Sequence, residues 1–386
     1  MSSYRDPKRG VWLWALGVPA LAAAGPVAWM IWPSDAALWL PVVFLYVLAP
    51  LLDVGWGTDQ ANPPEEAVAT LQADPYYQRI TYALVPLLWL AWLGAAAFSQ
   101  TVALGWAGQI GLILSTGAVG GFCINLGHEL GHQEGRMDRL LSQGVLVLTG
   151  YGHFTLEHNR GHHRAVATPE DSASSRMGES IWRFALREMP GAVSRAWSLE
   201  ATRLIQDGHR VWSVHNTLLR SWGLTLLVWA GFVAVWGVSI LAFVIPAALW
   251  ANFQLTSANY VEHYGLLRQT APDGRVEPCG PEHSWNSNHR FSNWATFHLQ
   301  RHADHHAHPR RRYQALRHVE QAPQLPSGYF AMFTLAYLPA LWFRVMNPVL
   351  VRQVQADPSR VNFDPSRRDD LVREYFSQDR MTPHAP

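Results

Sequence analysis

Charge is scarce in this sequence. Asp, Glu, Lys and Arg make up 15% of the 386 residues, against about a quarter in a soluble domain. The two signs nearly cancel, leaving a net charge of +1, so there is no basic field for a nucleic-acid partner. Cysteine is scarcer still. Cys123 and Cys279 stand alone with no C-x-x-C, which excludes a module held by paired thiolates and argues against a disulfide scaffold. Cys123 reads as a small buried hydrophobe. Internal repeats and low-complexity stretches are absent too.

What is present is long apolar sequence and an unusual amount of tryptophan, 19 residues, a side chain that favours membrane interfaces and large apolar pockets. A membrane-spanning helix needs roughly 20 apolar residues. Runs at about 11–32, 37–54, 80–99, 103–124, 218–238 and 240–258 meet that length. The first has no A-x-A-like site near its end and is expected to be a transmembrane helix, not a cleaved signal peptide. Gly237 and Ser239 mark the turn between the last two. Arg5, Lys8 and Arg9 precede the first run, and the loop after it, PSDA, has no basic residue. Positive-inside logic places the N-terminus in the cytoplasm, and counting spans returns the chain there near 124 and 258.

The expected organisation is all-α: transmembrane helices 1–4 within 1–124, a cytoplasmic histidine-rich region over 125–217, transmembrane helices 5–6 within 218–258, and a second cytoplasmic histidine-rich region over 259–355. A loose or peripheral C-terminal tail follows over 356–386. The apolar run 329–346 contains Pro339 and Arg344 and is read as a helix packed on the cytoplasmic region or lying at the interface.

The chain has 18 histidines, and half of them fall in four short motifs. NLGHELGHQ holds His128 and His132, EHNRGHH holds His158, His162 and His163, NYVEHYG holds His263, and LQRHADHH holds His302, His305 and His306. Residues three and four apart share one helix face, so each of the three longer motifs presents its imidazoles together. Imidazole suits borderline metals such as iron, copper or zinc. One zinc takes about four ligands, so this set exceeds one ion and fits two ions with four or five ligands each. Redox iron is favoured, because thiolates are absent and carboxylates are few. HELGH also matches the H-E-x-x-H zinc-protease pattern, but that reading leaves the other motifs unused. A membrane metal transporter would hold its ligands inside the spans, whereas these are expected beyond the span ends.

The motifs resemble those of the membrane alkane 1-monooxygenases (the AlkB family), within the integral-membrane desaturase–hydroxylase superfamily. The resemblance rests on HELGH, EHNRGHHRAVATPEDSASSRMGES, NYVEHYGLLR and LQRHADHHAHP, and on LLDVGWGTDQANPPEE between the second and third spans. It covers roughly residues 40–350. It implies a six-helix enzyme of the bacterial inner membrane, with both termini cytoplasmic and a non-haem diiron centre held by the histidines. The implied reaction inserts one atom of O2 into the terminal methyl of a medium-chain alkane. Electrons would come from rubredoxin, reduced by an NAD(P)H-dependent reductase and here a separate chain, since no C-x-x-C is present. The related xylene monooxygenase hydroxylases, which oxidise aromatic methyl groups, are the alternative within the superfamily.

Glu129, Glu157, Glu262 and Asp304 each adjoin a motif histidine, and are candidate catalytic carboxylates or partners for the second ring nitrogen of a ligand. His289, His298 and His153 are expected to support the ligands from a further layer. His308 is expected to face solvent, while His209, His215, His283, His318 and His384 carry no spacing signal. Asp53 closes the second span and is either functional or set in interfacial water. Arg310, Arg311 and Arg312 are a positive-inside feature or part of a docking face for the acidic electron donor. Phe44, Leu45, Leu48 and Leu52 follow helical spacing and are expected to form one wall of the alkane pocket.

Overall fold

Among the described residues, six helices are long and apolar enough to cross a membrane: α1 (Val11–Ile31), α2 (Asp35–Trp56), α3 (Pro75–Thr101), α4 (Trp106–Gly131), α5 (Thr217–Trp236) and α6 (Val238–His263). They belong to a computed structural model that describes residues 4–377, and no β-strand occurs among those residues. The chain is a multi-pass membrane protein of the all-α class. Large apolar side chains such as Ile31, Leu51, Leu90 and Leu227 face outward, as a lipid-facing surface requires.

α4 is the central helix, 72% buried over its apolar window against 22% for α5. Its composition explains this. Association of helices in lipid depends on small residues that let backbones approach, and α4 sets Gly117, Gly120 and Gly121 against α6. A Cβ on Gly117 would lie 2.6 Å from the Ala247 carbonyl oxygen, and one on Gly120 would lie 2.7 Å from the Ala251 Cβ and 2.8 Å from Trp92. Gly120→Leu is therefore expected to cost at least the ~1–3 kcal/mol of ordinary core overpacking. Gly94→Leu, at a position with nothing within 4 Å, is expected to leave the melting midpoint in detergent unchanged; the comparison of the two midpoints is the check.

α4 and α6 both run past the expected limits of 124 and 258. The polar ends of the two helices stay helical to Gly131 and His263, which carries His128 and His263 on continuous spans. The sequence between the spans and after α6 gathers at that same end. The run 329–346 becomes two helices broken at Leu338, Tyr329–Ala336 and Pro339–Gln353, with Tyr329, Met332, Trp342 and Met346 buried. The segment from 356 is packed rather than loose as far as Phe376. Val361, Phe363, Leu371 and Phe376 join the core around Tyr264 and Trp342, and Met177 donates its backbone N–H to the Asn362 carbonyl at 2.7 Å.

Candidate metal centre

The four motifs, scattered over residues 128–306, converge into two groups. His128, His132, His158 and His305 bring one ligand atom each within 4.8 Å of one another, and so do His162, His263, His302 and His306. His163 joins the first group: its Nε2 lies 3.1 Å from that of His158 and 3.2 Å from that of His305. Its ring also meets His306, centroids 4.6 Å apart, so it stands between the two groups. Each group could hold a metal ion.

Local backbone explains the sorting. His158 and His162 lie in a π-helical turn, His158–His162, a feature that is rare and frequent at functional sites. His158 serves one group and His162 the other, while His163 returns to the side of His158. The short helix His302–Ala307 divides its rings likewise, His305 to one group and His302 and His306 to the other. Phe297 and His298, just before it, take positive φ of 56° and 55°, a conformation that costs about 1–3 kcal/mol for such residues. The compensating contacts come from buried Arg301, whose Nη1 donates to the Leu316 carbonyl at 2.7 Å and whose Nη2 donates to the Asp59 carbonyl at 3.0 Å.

The nitrogen spacing fits ligation and not an imidazole hydrogen-bond network. His305 Nε2 lies 3.0 Å from His128 Nε2 and 3.2 Å from His163 Nε2, and His163 Nε2 is also 3.1 Å from His158 Nε2. A ring nitrogen carries one hydrogen or one lone pair, so it cannot donate to two such neighbours. Two nitrogens about 2.1 Å from a common ion at right angles would be ~3.0 Å apart. In the second group His302 Nε2 is 3.0 Å from His306 Nε2 and 3.3 Å from His263 Nε2. The buried Nε2 atoms of His132 and His162 have no protein partner, as ligands would not.

Electrostatics keep these rings neutral. Burial, then neighbouring imidazoles, holds His132, His158, His302, His305 and His306 well below the ordinary value, and pushes His163 down to about 2. His162 differs. Burial would lower it, but the Asp171 carboxylate, 2.9 Å from its Nδ1, outweighs that and raises it. Asp171 is in turn held by the Ser174 hydroxyl at 2.7 Å and by Arg195 Nη1 at 2.7 Å. The pair fixes the Nδ1–H tautomer of His162 and leaves Nε2 free to bind a cation. Asp171→Asn is expected to weaken metal binding ten- to a hundredfold with little change in fold; titration of the metal-free protein with ferrous ion measures it.

The four candidate carboxylates lie in different settings. Only Glu262 borders a clustered histidine: its Oε2 is 3.4 Å from His302 Nε2, and its Oε1 accepts the Tyr329 hydroxyl at 2.7 Å. Glu157 accepts from Arg195 Nε at 2.7 Å; burial raises it, and Arg195 offsets part of that. Glu129 accepts from the Tyr313 backbone N–H at 3.4 Å. Asp304 binds Arg311 at 2.7 Å and the Arg317 N–H at 2.9 Å.

The expected supporting histidines take up no hydrogen bond with a ligand ring among the described residues. His298 is edge-on to Trp12, its centroid 4.7 Å away, and its Nδ1 is 3.1 Å from the Tyr313 carbonyl oxygen. His289 Nδ1 is 2.9 Å from the Ser287 hydroxyl. His153 is buried against Tyr151 with both nitrogens unpartnered. His384 lies outside the described residues. Asp53 is fully buried and accepts from the Ser292 N–H at 3.0 Å, tying the end of α2 to the helix Arg290–Ala295. The arginine run is paired, Arg310 with Glu134, Arg311 with Asp304 and Arg312 with Asp138, which leaves less free charge than the sequence alone implies.

A narrow apolar cavity of about 50 Å³ lies between α2, α4 and α6. Ala118, Gly121, Phe122 and Asn125 line it from α4, Gln254, Leu255 and Ala258 from α6, Leu45 and Tyr46 from α2, and Thr296, Leu299, Tyr329, Phe330 and Phe333 complete the wall. Of the four residues expected to form one wall, Leu45 lines this cavity and Leu48 does not. Residues Phe44–Leu48 form a π-helix, which sets the buried face at Pro41, Leu45, Ala49 and Asp53 and turns Leu48 outward, 45% exposed. Leu52 and Phe44 are half-buried and outside the lining, and Phe44 meets Phe291 edge-on. The sequence pattern missed Asp171, Arg195 and the lining aromatics. Asp171 sits inside the quoted second motif, yet nine positions beyond His162, where helical spacing gives no signal.

Comparison with known proteins fits this geometry at two levels. The fatty acid desaturase family matches residues 103–336, the part that contains every clustered histidine, so the class is the membrane desaturase–hydroxylase superfamily. At finer level, the chain is 45% identical over 381 residues to alkane 1-monooxygenase 1 of Alcanivorax borkumensis, spanning 97% of this chain and 92% of that one. It is 44% identical over 378 residues to alkane 1-monooxygenase of Ectopseudomonas oleovorans, spanning 96% and 93%. A more remote likeness, 29% over 238 residues, is to the xylene/toluene monooxygenase hydroxylase component of Pseudomonas putida, spanning 61% of this chain and 63% of that one. The chain belongs to the alkane 1-monooxygenase family and is an oxidoreductase.

Proposed function

We propose that the chain hydroxylates medium-chain n-alkanes to 1-alkanols with O2, at two iron ions held by His128, His132, His158, His163 and His305 and by His162, His263, His302 and His306. The observation that carries this reading is an apolar cavity lined by Tyr329, whose hydroxyl donates to Glu262 beside His302. Asn125 on its wall lies one helical turn from His128, and Ala258 lies just over one turn from His263. The bound iron pair would activate O2 and accept electrons, chemistry no side chain here supplies.

The chain's own residues do the rest. The lining excludes water and confines an alkyl chain to one direction, so a terminal methyl reaches the histidines first. Such positioning is needed because a primary C–H is harder to break than the secondary ones beside it. Glu262, oriented by Tyr329, offsets the positive charge of bound ions from inside the second group, and Asp171 holds His162. The electron donor is a separate rubredoxin with its NAD(P)H-dependent reductase. The histidine end faces the cytoplasm of the bacterial inner membrane, in line with Arg5, Lys8 and Arg9 before α1. Purified protein supplied with iron, octane, rubredoxin, reductase and NADH is expected to form 1-octanol with matched O2 uptake. Absence of octanol from iron-loaded protein, or oxidation of xylene in preference to octane, would overturn the reading.

A further inference from the structure

The helix Ile181–Gln206 is not one of the six spans, yet it turns apolar side chains outward. Trp182, Leu186, Met189, Val193 and Trp197 recur at steps of three or four, which sets them on one stripe. Leu186 is 80% exposed, Trp182 and Val193 are exposed, and Met189 and Trp197 are half-buried. A second face, with Ile181, Phe184, Glu188 and Ala192, is buried in the protein. A third, with Arg183, Ser194 and Ser198, is polar and exposed. Three such faces suit a helix that meets apolar matter, protein and water at once.

Contacts near both ends fix the direction of the stripe. Trp182 stacks on Phe253 of α6, centroids 5.3 Å apart, while Phe184 meets Tyr260 at 5.4 Å. Those two α6 positions lie seven residues apart, or about 10.5 Å along the helix, and Phe253 is the one further from His263. Trp197 stacks on Trp222 of α5 at 6.1 Å, while Glu200 accepts the backbone N–H of Thr217, the first residue of α5, at 2.7 Å. At each end the stripe residue touches the position deeper in the bundle. The helix therefore crosses the histidine end with its stripe turned towards the flanks of the spans. There it continues the exposed apolar surface of Leu249 on α6 and Leu226 on α5.

The same helix reaches the histidines from its other side. Arg187 donates to the carbonyls of Ser172 and Ser174 at 3.1 Å each, and Arg195 Nη1 lies 2.7 Å from Asp171, the partner of His162. We infer that the helix Ile181–Gln206 lies flat in the bilayer leaflet at the histidine end, its stripe among the acyl chains. Lipid contact then holds Arg187 and Arg195 where they brace Asp171 and, through it, His162. The occupant is lipid because the stripe runs on into the lipid-facing surface of α5 and α6. The lipid contact is independent of the function proposed above; its link to His162 rests on that reading.

The test uses the full chain in nanodiscs of phosphatidylethanolamine and phosphatidylglycerol. Spin labels are placed by Leu186→Cys, Val193→Cys and Ser198→Cys in a Cys279→Ser background. Labels at 186 and 193 are expected to collide with O2 in preference to a water-soluble nickel chelate, about 5–10 Å below the headgroups, and the label at 198 to favour the chelate. Ready access of the chelate to 186 and 193 would overturn the lipid contact and leave that face to a protein partner. Leu186→Glu keeps helix propensity but cannot settle among acyl chains. It is expected to weaken ferrous-ion binding about tenfold, the effect of a displaced ligand partner, and the milder Val193→Gln to act in the same direction. Ser198→Glu should leave the affinity unchanged. Wild-type affinity in both stripe variants would overturn the link to His162. If wild type takes up no ferrous ion, the two-iron reading and the link both fail, and the label pattern still decides the lipid contact.

Discussion

Replacing any one of the nine clustered histidines with alanine is expected to reduce alkane turnover by about a hundredfold or more, above the ten- to hundredfold carried by partners that only support a ligand. The nine are His128, His132, His158, His162, His163, His263, His302, His305 and His306. His305 is the sharpest case, because its Nε2 lies 3.0 Å from His128 and 3.2 Å from His163, so its loss opens the first group from the middle. The change is at a proposed ligand and not in an apolar core, so the protein should still reach the membrane. His308→Ala, at an exposed position next to the same helix, is the control and should be silent. Iron per chain and 1-octanol formation, measured on the same samples, check the expectation. Near-normal iron and turnover in more than two of the nine would show the ligand set to be wrong.

Leu45→Ala is expected to lengthen the preferred alkane by a few carbons while hydroxylation stays terminal. Leu45 is 3% exposed and lines the cavity beside Tyr46, away from the histidine end. Shortening it extends the space available to the chain's far end. The same truncation removes packing with Ala49, Ala118 and Phe330, so a stability loss of about 2–5 kcal/mol accompanies it. Leu48→Ala separates the two effects, since Leu48 faces outward and should leave the length profile as it is. Product profiles from hexane to hexadecane make the comparison. A uniform loss of rate across all lengths in Leu45→Ala would mean that Leu45 only packs.

The spans were legible because lipid demands long apolar runs, and all six appear within a few residues of their expected limits apart from the extended ends of α3, α4 and α6. The clustering of the histidines was legible because imidazoles at helical spacing are expensive unless something binds them. What spacing could not give was the sorting of the rings. His158 and His162 share a face in an ideal helix, yet a π turn and the paired approach of His302–Ala307 send them to different groups. The same limit applies to Leu48, displaced by a second π turn, and to Asp171, whose link to His162 is made by folding and not by periodicity. The packed segment after 356 was missed because its apolar residues, such as Val361 and Phe363, are too sparse to register as a run.

Two short stretches, 158–163 and His302–Ala307, each contribute rings to both histidine groups. Neither half of the centre is a separate module. If two ions bind as proposed, the first would fix two backbone segments that the second also needs, and so lower the entropy the second must give up. Loading should then be cooperative, with a steep isotherm and little singly occupied protein at intermediate iron. Damage would spread the same way: a lesion in one group should loosen the other, so that iron is lost in pairs.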